Sequence, residues 1–122
     1  MAKKNALRLH NTKTFASAGL VTLETDPTPD NMTYCLQRMA WEISKATSGG
    51  NTRCRLYIKG HGYKHFLAQQ TTPTAAVLYW DADPVWLVPG EILALDIDQA
   101  QADTVASLDC TGYWTDFVEG VV

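Results

Sequence analysis

Short alternations of apolar and polar residues, interrupted by turn residues, run the length of the chain. In residues 6–15, Leu7, Leu9 and Phe15 alternate loosely with charged positions, and in 18–25 Leu20 and Leu23 repeat the habit beside Val21. Both segments predict edge strands. Residues 26–31 read Asp-Pro-Thr-Pro-Asp-Asn. Neither proline can donate to a ladder, and Asp and Asn favour bends, so a strand pair is expected to end there. Residues 32–47 carry two patterns at once. Leu36, Met39, Ala40 and Ile43 fit helical spacing, while Cys35, Met39, Trp41 and Ile43 partly fit a strand. The segment 48–51, Ser-Gly-Gly-Asn, resembles a hairpin loop into a further strand, which favours the strand reading.

From 52 to 59 the alternation is clean, with Cys54, Leu56 and Ile58 on one face and Arg53, Arg55, Tyr57 and Lys59 on the other. Gly60-His61-Gly62 supplies turn residues, and 63–68 is the expected return strand of a hairpin. Residues 71–74 break it, 75–80 form an apolar run, 81–84 (Asp-Ala-Asp-Pro) turn again, and 85–88 are apolar. A Pro89-Gly90 corner then announces two alternating strands, expected as a closing hairpin, that end near Trp114. About eight short strands at this spacing predict an all-β fold, an antiparallel β-sandwich of jelly-roll type. The expected organisation is an N-terminal arm or edge strand over residues 1–14 and one sandwich domain over 15–122.

Composition sharpens this. A chain of 122 residues with 46% apolar and 19% charged residues suits one soluble globular domain, too hydrophobic for disorder and too interrupted for a membrane span. The basic start, Lys3 and Lys4, precedes no apolar run, so no signal peptide is expected. A net charge of −3 counts against nucleic acid as the main partner, because phosphate binding needs a basic surface. Cys35, Cys54 and Cys110 form no Cys-x-x-Cys pair and read as free, buried thiols.

No cofactor, metal or catalytic constellation is expected. His61 and His65 fall on opposite sides of a turn, whereas a closed zinc site needs three or four convergent donors. Asp81 and Asp83, and Asp96, Asp98 and Asp103, read as turn residues and not as a calcium loop, which would need punctuating glycines and a closing Glu. No nucleophile elbow, Walker loop or dinucleotide fingerprint is present. The chain is rich in large aromatics, with Trp41, Trp80, Trp86 and Trp114 among them. Trp80 and Trp86 flank the 81–84 turn, where a binding surface and a core position are equally compatible with the pattern.

Residues 87–97, with Val88-Pro89-Gly90-Glu91 leading into Ile92-Leu93-Ala94-Leu95, then Asp103-Thr104-Val105 and the closing Thr111-Gly112-Tyr113-Trp114, resemble small β-sandwich structural proteins of tailed bacteriophages. The resemblance covers the last third of the chain. It implies a capsid decoration or cement protein of the virion, made in the host cytoplasm, non-enzymatic and often trimeric, whose partners are the major capsid (coat) protein and further copies of itself. On that reading Lys3, Lys4, Leu7, Arg8 and Leu9 dock on the coat, and Trp80, Trp86 and Trp114 make subunit contacts, with no nucleic acid or membrane partner. The rival from another class is a carbohydrate-binding module of phage tail or fibre type, with Trp80, Trp86 or Tyr63 stacking on sugar rings. A cupin-type enzyme is disfavoured, because His10, His61 and His65 do not follow that spacing.

Overall fold

The computed structural model describes residues 4–49 and 52–117, and among them the regular structure is all strand. In chain order these are β1 (Asn5–Phe15), β2 (Gly19–Glu24), β3 (Met32–Ile43), β4 (Arg53–Gly60), β5 (Tyr63–Thr71), β6 (Tyr79–Asp81), β7 (Val85–Leu87), β8 (Ile92–Ala100) and β9 (Thr104–Asp116). One sheet has the order β1-β9-β3-β6, with β7 also on β3; the other runs β2-β8-β4-β5. Every pairing is antiparallel. No helix long and apolar enough to cross a membrane occurs among the described residues.

The pairs β4–β5, β3–β6/β7, β2–β8 and β1–β9 nest inside one another along the chain. The polypeptide is therefore one long hairpin, with its tip at His61-Gly62, rolled so that successive pairs fall in alternate sheets. That is a jelly roll. The described residues form nine strands where about eight were expected, and residues 82–84, ending in Pro84, part β6 from β7 where the sequence places a turn. Gly62 at the tip takes φ +76°, a left-handed conformation that glycine enters without steric cost. The Pro89-Gly90 corner is a type II turn: Gly90 has φ +86° and Glu91 N donates to Val88 O at 3.0 Å.

Three connections expected as hairpins or pairs are crossings between sheets. β8 and β9 are not a closing hairpin; each is an interior strand of its own sheet, and Asp103 at φ +65° turns the chain across the sandwich. The 48–51 loop, of which Gly50 and Asn51 lie outside the described residues, likewise carries the chain from β3 in one sheet to β4 in the other. β1 and β2 also part company, so no pair ends at 26–31. The apolar run 75–80 pairs only from Tyr79, leaving Val77 and Leu78 exposed.

Residues 32–43 are strand, and the helical spacing there has a cause. Leu36 pairs with Gly112 and Arg38 with Thr111, so Gln37 is an extra residue in β3, a bulge. The bulge shifts the side-chain phase, and both Leu36 and Met39 enter the core, fully buried beside Ile43, Leu56, Leu87, Leu93, Leu95, Ile97 and Leu108. Tyr57 keeps the alternation but not the exposure expected of its face. It points to the outer side of the second sheet yet is buried under Phe66 and Lys64, its hydroxyl donating to Asp96 Oδ1 at 2.8 Å.

Gly112 permits the bulge, because a Cβ there would sit 1.9 Å from the Cys35 carbonyl oxygen. Gly112→Ala is expected to cost about 3 kcal/mol, through displaced backbone. Gly90→Ala, with nothing within 4 Å of its would-be Cβ, costs only about 1 kcal/mol of left-handed strain. Urea denaturation of the two variants checks the order; equal losses would mean that the β3–β9 approach is not tight.

Candidate functional site

A jelly roll has two sides where sheet edges face each other, and here they differ. On one, β1 and β2 are tied by Asn11 Nδ2, which donates to Glu24 O at 2.6 Å. On the other, β5 faces β6 and β7, which are three residues each and cannot cover the length of β5. The seam stays open as a cleft of about 490 Å³ lined by Ile58, Tyr63, His65, Leu67, Trp86 and Glu91. Further along the seam, a hollow of about 160 Å³ lies between Trp41, Cys54, Tyr79 and Trp80. Leu67 reaches the cleft as a bulged residue, since Leu56 pairs with Ala68 and Tyr57 with Phe66.

Trp80 and Trp86 stand on this side, 62% and 57% exposed. In register Trp80 lies opposite Ala40 and Trp86 opposite Cys35, both buried outward-facing residues of β3. The Arg38 guanidinium lies 5.8 Å over the Trp80 ring, and Tyr113 contacts Cys35 and Trp86, the Cys35 thiol being the main reason its phenol titrates above the ordinary value. Tyr63 and Phe66 on β5 add two more exposed rings, the latter under Arg55 at 5.1 Å. One end of the seam is latched. The Tyr63 hydroxyl donates to Glu91 Oε2 at 2.5 Å, Val88 N donates to Glu91 Oε1 at 2.8 Å, and the Tyr63 ring occupies the space a Gly60 Cβ would take. Rings with little rotamer freedom, gathered round a cleft, suit the burial of a partner surface.

The other expected contact residues are not brought here. Trp114 is half-buried, opposite Tyr34 and Asn5 on the inward phase of β9. Lys3 lies outside the described residues. Leu7 and Leu9 are packed on the core, Arg8 gives Nε and Nη2 to Asp109 at 3.2 and 3.1 Å, and Lys4 lies 4.7 Å over the Tyr113 ring. Residues 5–15 are thus an edge strand, paired along their length with β9. Missed from the sequence were Tyr63 as a latch, and Leu67 and Glu91, which reach the seam through a bulge and a corner.

The carboxylates serve turns and ladders. Asp81 Oδ1 accepts Asp83 N, and Asp96 Oδ1 accepts the hydroxyls of Thr22 and Tyr57. Among the described residues no group of three or more His, Cys, Asp or Glu converges to hold a metal ion. The cysteines are free and buried, and burial pushes the Cys54 and Cys110 thiols up to about 12.

No protein-family model matches the chain, and no curated protein sequence does. Its fold has solved counterparts. A chain of the "acidic stable capsid structure of Helicobacter pylori bacteriophage KHP30" is similar with a TM-score of 0.56 at 11% identity, over 96% of this chain and 94% of that one. A chain of the infectious bursal disease virus Gx strain gives 0.48 at 10% identity, over 98% of this chain and 33% of that one. A chain from "CBM4 structure and function" gives 0.34 at 13% identity, over 90% of this chain and 84% of that one. The first shares the jelly roll from end to end; the other two are too distant to bear on it.

The buried acids set an alkaline limit. Cys54 and Cys110, whose ordinary value is 9.0, and Tyr57, raised first by burial and then by its bond to Asp96, all hold their protons more tightly folded than unfolded. Their stabilisation is complete below the unfolded values and is lost as pH climbs toward the folded ones. The thermal midpoint is expected to stay level up to about pH 8 and fall from about pH 9 upward, less steeply in Tyr57→Phe. Melts followed by circular dichroism check this, and a level midpoint through about pH 11 contradicts it.

Proposed function

We propose that this protein is a non-enzymatic virion structural protein, a capsid decoration or cement module that binds the major capsid (coat) protein through the seam between β5 and β6/β7. The observation that carries the reading is the likeness to a chain of a bacteriophage capsid structure, 94% of which is matched; that chain, too, is essentially one jelly roll. The seam supports it by supplying what a clamp between coat subunits needs: exposed Trp86 at the cleft and exposed Trp80 beside the hollow further along, as anchors. Aromatic anchors at the edge of a pocket commonly dominate interface energy. In the assembled form implied by the tailed-phage resemblance, the module is a homotrimer on the coat lattice.

The test is co-sedimentation with coat shells that lack the protein, with light scattering of the free protein beside it. Wild type is expected to sediment with shells and to scatter as a trimer. Trp80→Ala or Trp86→Ala is expected to weaken shell binding by about ten- to thirtyfold, with an unchanged melting profile, since an anchor is worth about 2 kcal/mol. Wild type left in the supernatant overturns the reading, and retention on immobilised glycans in its place selects the carbohydrate-binding alternative, in which the same two rings stack on sugars.

A further inference from the structure

The opposite edge of the first sheet carries a different surface. Among the described residues β1 pairs with β9 and with no other strand. The phase of the ladder tells which of its main-chain groups are used. Ser44 N donates to Val105 O at 2.9 Å, extending the β3–β9 pairing. Val105, Ser107, Asp109 and Thr111 therefore direct N–H and C=O toward β3, because alternate residues of an antiparallel strand serve alternate neighbours. Ala106, Leu108, Cys110 and Gly112 serve β1, where they meet Lys13, Asn11, Leu9 and Leu7. Asp103 N donates to Phe15 O at 2.7 Å, which sets the same phase from the other end. Ala6, Arg8, His10, Thr12 and Thr14 are left with main-chain donors and acceptors directed at the open edge, and all five are exposed. β2 lies beside this edge and is tied to it by the Asn11 side chain, and a hollow of about 160 Å³ runs between Leu9, His10 and Asn11 and the chain at Glu24, Thr25 and Asp26.

Charge says what fits. The chain as a whole has 13 Asp and Glu against 10 Lys and Arg, yet residues 4–15 hold Lys4, Arg8 and Lys13 and no carboxylate. Asp109 takes two N–H groups of Arg8 and lies 3.9 Å from His10, which leaves Arg8 donors for a second acceptor. On the inner side of the edge, Glu24 and Asp26 repel anions. We propose that the open edge of β1 takes up an extended segment of another polypeptide as an added strand, with carboxylates at alternate positions beside Arg8 and His10 and uncharged side chains at the positions between. Main-chain bonds supply the affinity and the alternation supplies the selectivity. The surface lies across the sheet from β6 and β7 and is separate from the proposed shell contact at the seam, so the two are tested apart.

The probe is a soluble peptide of five Glu-Val repeats, with a Lys-Val peptide of the same length as control, titrated against the full chain by calorimetry and by amide chemical shifts. The Glu-Val peptide is expected to bind, to shift the amides of residues 6–14, and to bind more weakly as salt is raised. Thr12→Pro deletes an edge-facing N–H and none that serves β9, and edge strands tolerate proline. It is expected to weaken peptide binding at least tenfold while keeping the wild-type melting profile and shell binding. Should Thr12→Pro fail to fold, Ala6→Pro asks the same question nearer the strand's end. No binding, equal binding of the Lys-Val peptide, or undiminished binding by the folded proline variant each overturns the proposal, whatever the shells do.

Discussion

The approach of β3 to β9 at Gly112 is the constraint on which the rest depends. These strands form the middle of the first sheet, and a side chain at 112 would collide with the Cys35 carbonyl. Because Gly112 has none, Gln37 can bulge, and one strand presents Leu36 to the core before the bulge and Met39, Trp41 and Ile43 after it. An unbulged strand in the earlier phase would turn these last three outward, since a slip of one residue exchanges the two faces. The same phase leaves Cys35 and Ala40 on the outer face, opposite Trp86 and Trp80. Core and candidate interface are thus two consequences of one local geometry.

That geometry also explains what could be read from the residues and what could not. Strands with undisturbed alternation were legible: β4, with Cys54, Leu56 and Ile58 buried, and its hairpin to β5 through Gly62. The Pro89-Gly90 corner was legible because a proline followed by a residue needing positive φ has few other uses. β3 carried a helical signature because the bulge places core residues three apart. The crossings read as hairpins in the sequence because alternation reports the faces of a strand and not its neighbours. Asp103 turns the chain between sheets with the same residue types that close a hairpin.

For the candidate site, Trp80 and Trp86 stood out because they flank a proline turn, and they do stand exposed on one side. Of the opposite wall only Tyr63 stood out, as a ring for stacking on sugars; Leu67 sits at a bulge that breaks the period, and the latch from Tyr63 to Glu91 joins residues 28 positions apart. The sequence leaves the N-terminus as an arm or an edge strand because its partner strand, β9, lies about a hundred residues onward, too far for any local pattern to register.

The two edges of the first sheet solve the edge problem in opposite ways. β6 and β7 are short, and Pro84 between them limits pairing, so that side offers side chains and a cleft more than main chain. β1 is eleven residues long, regular and paired throughout on one side, so it offers main chain and charge. Self-pairing through β1 would set Arg8 and Lys13 of one copy near those of another, which like-charge repulsion opposes. The positive edge therefore discriminates against a second copy while remaining open to an anionic strand. A small sandwich can in this way carry an apolar contact on one edge and a charge-selected one on the other, with β9 and β3 as the rigid spacer between them.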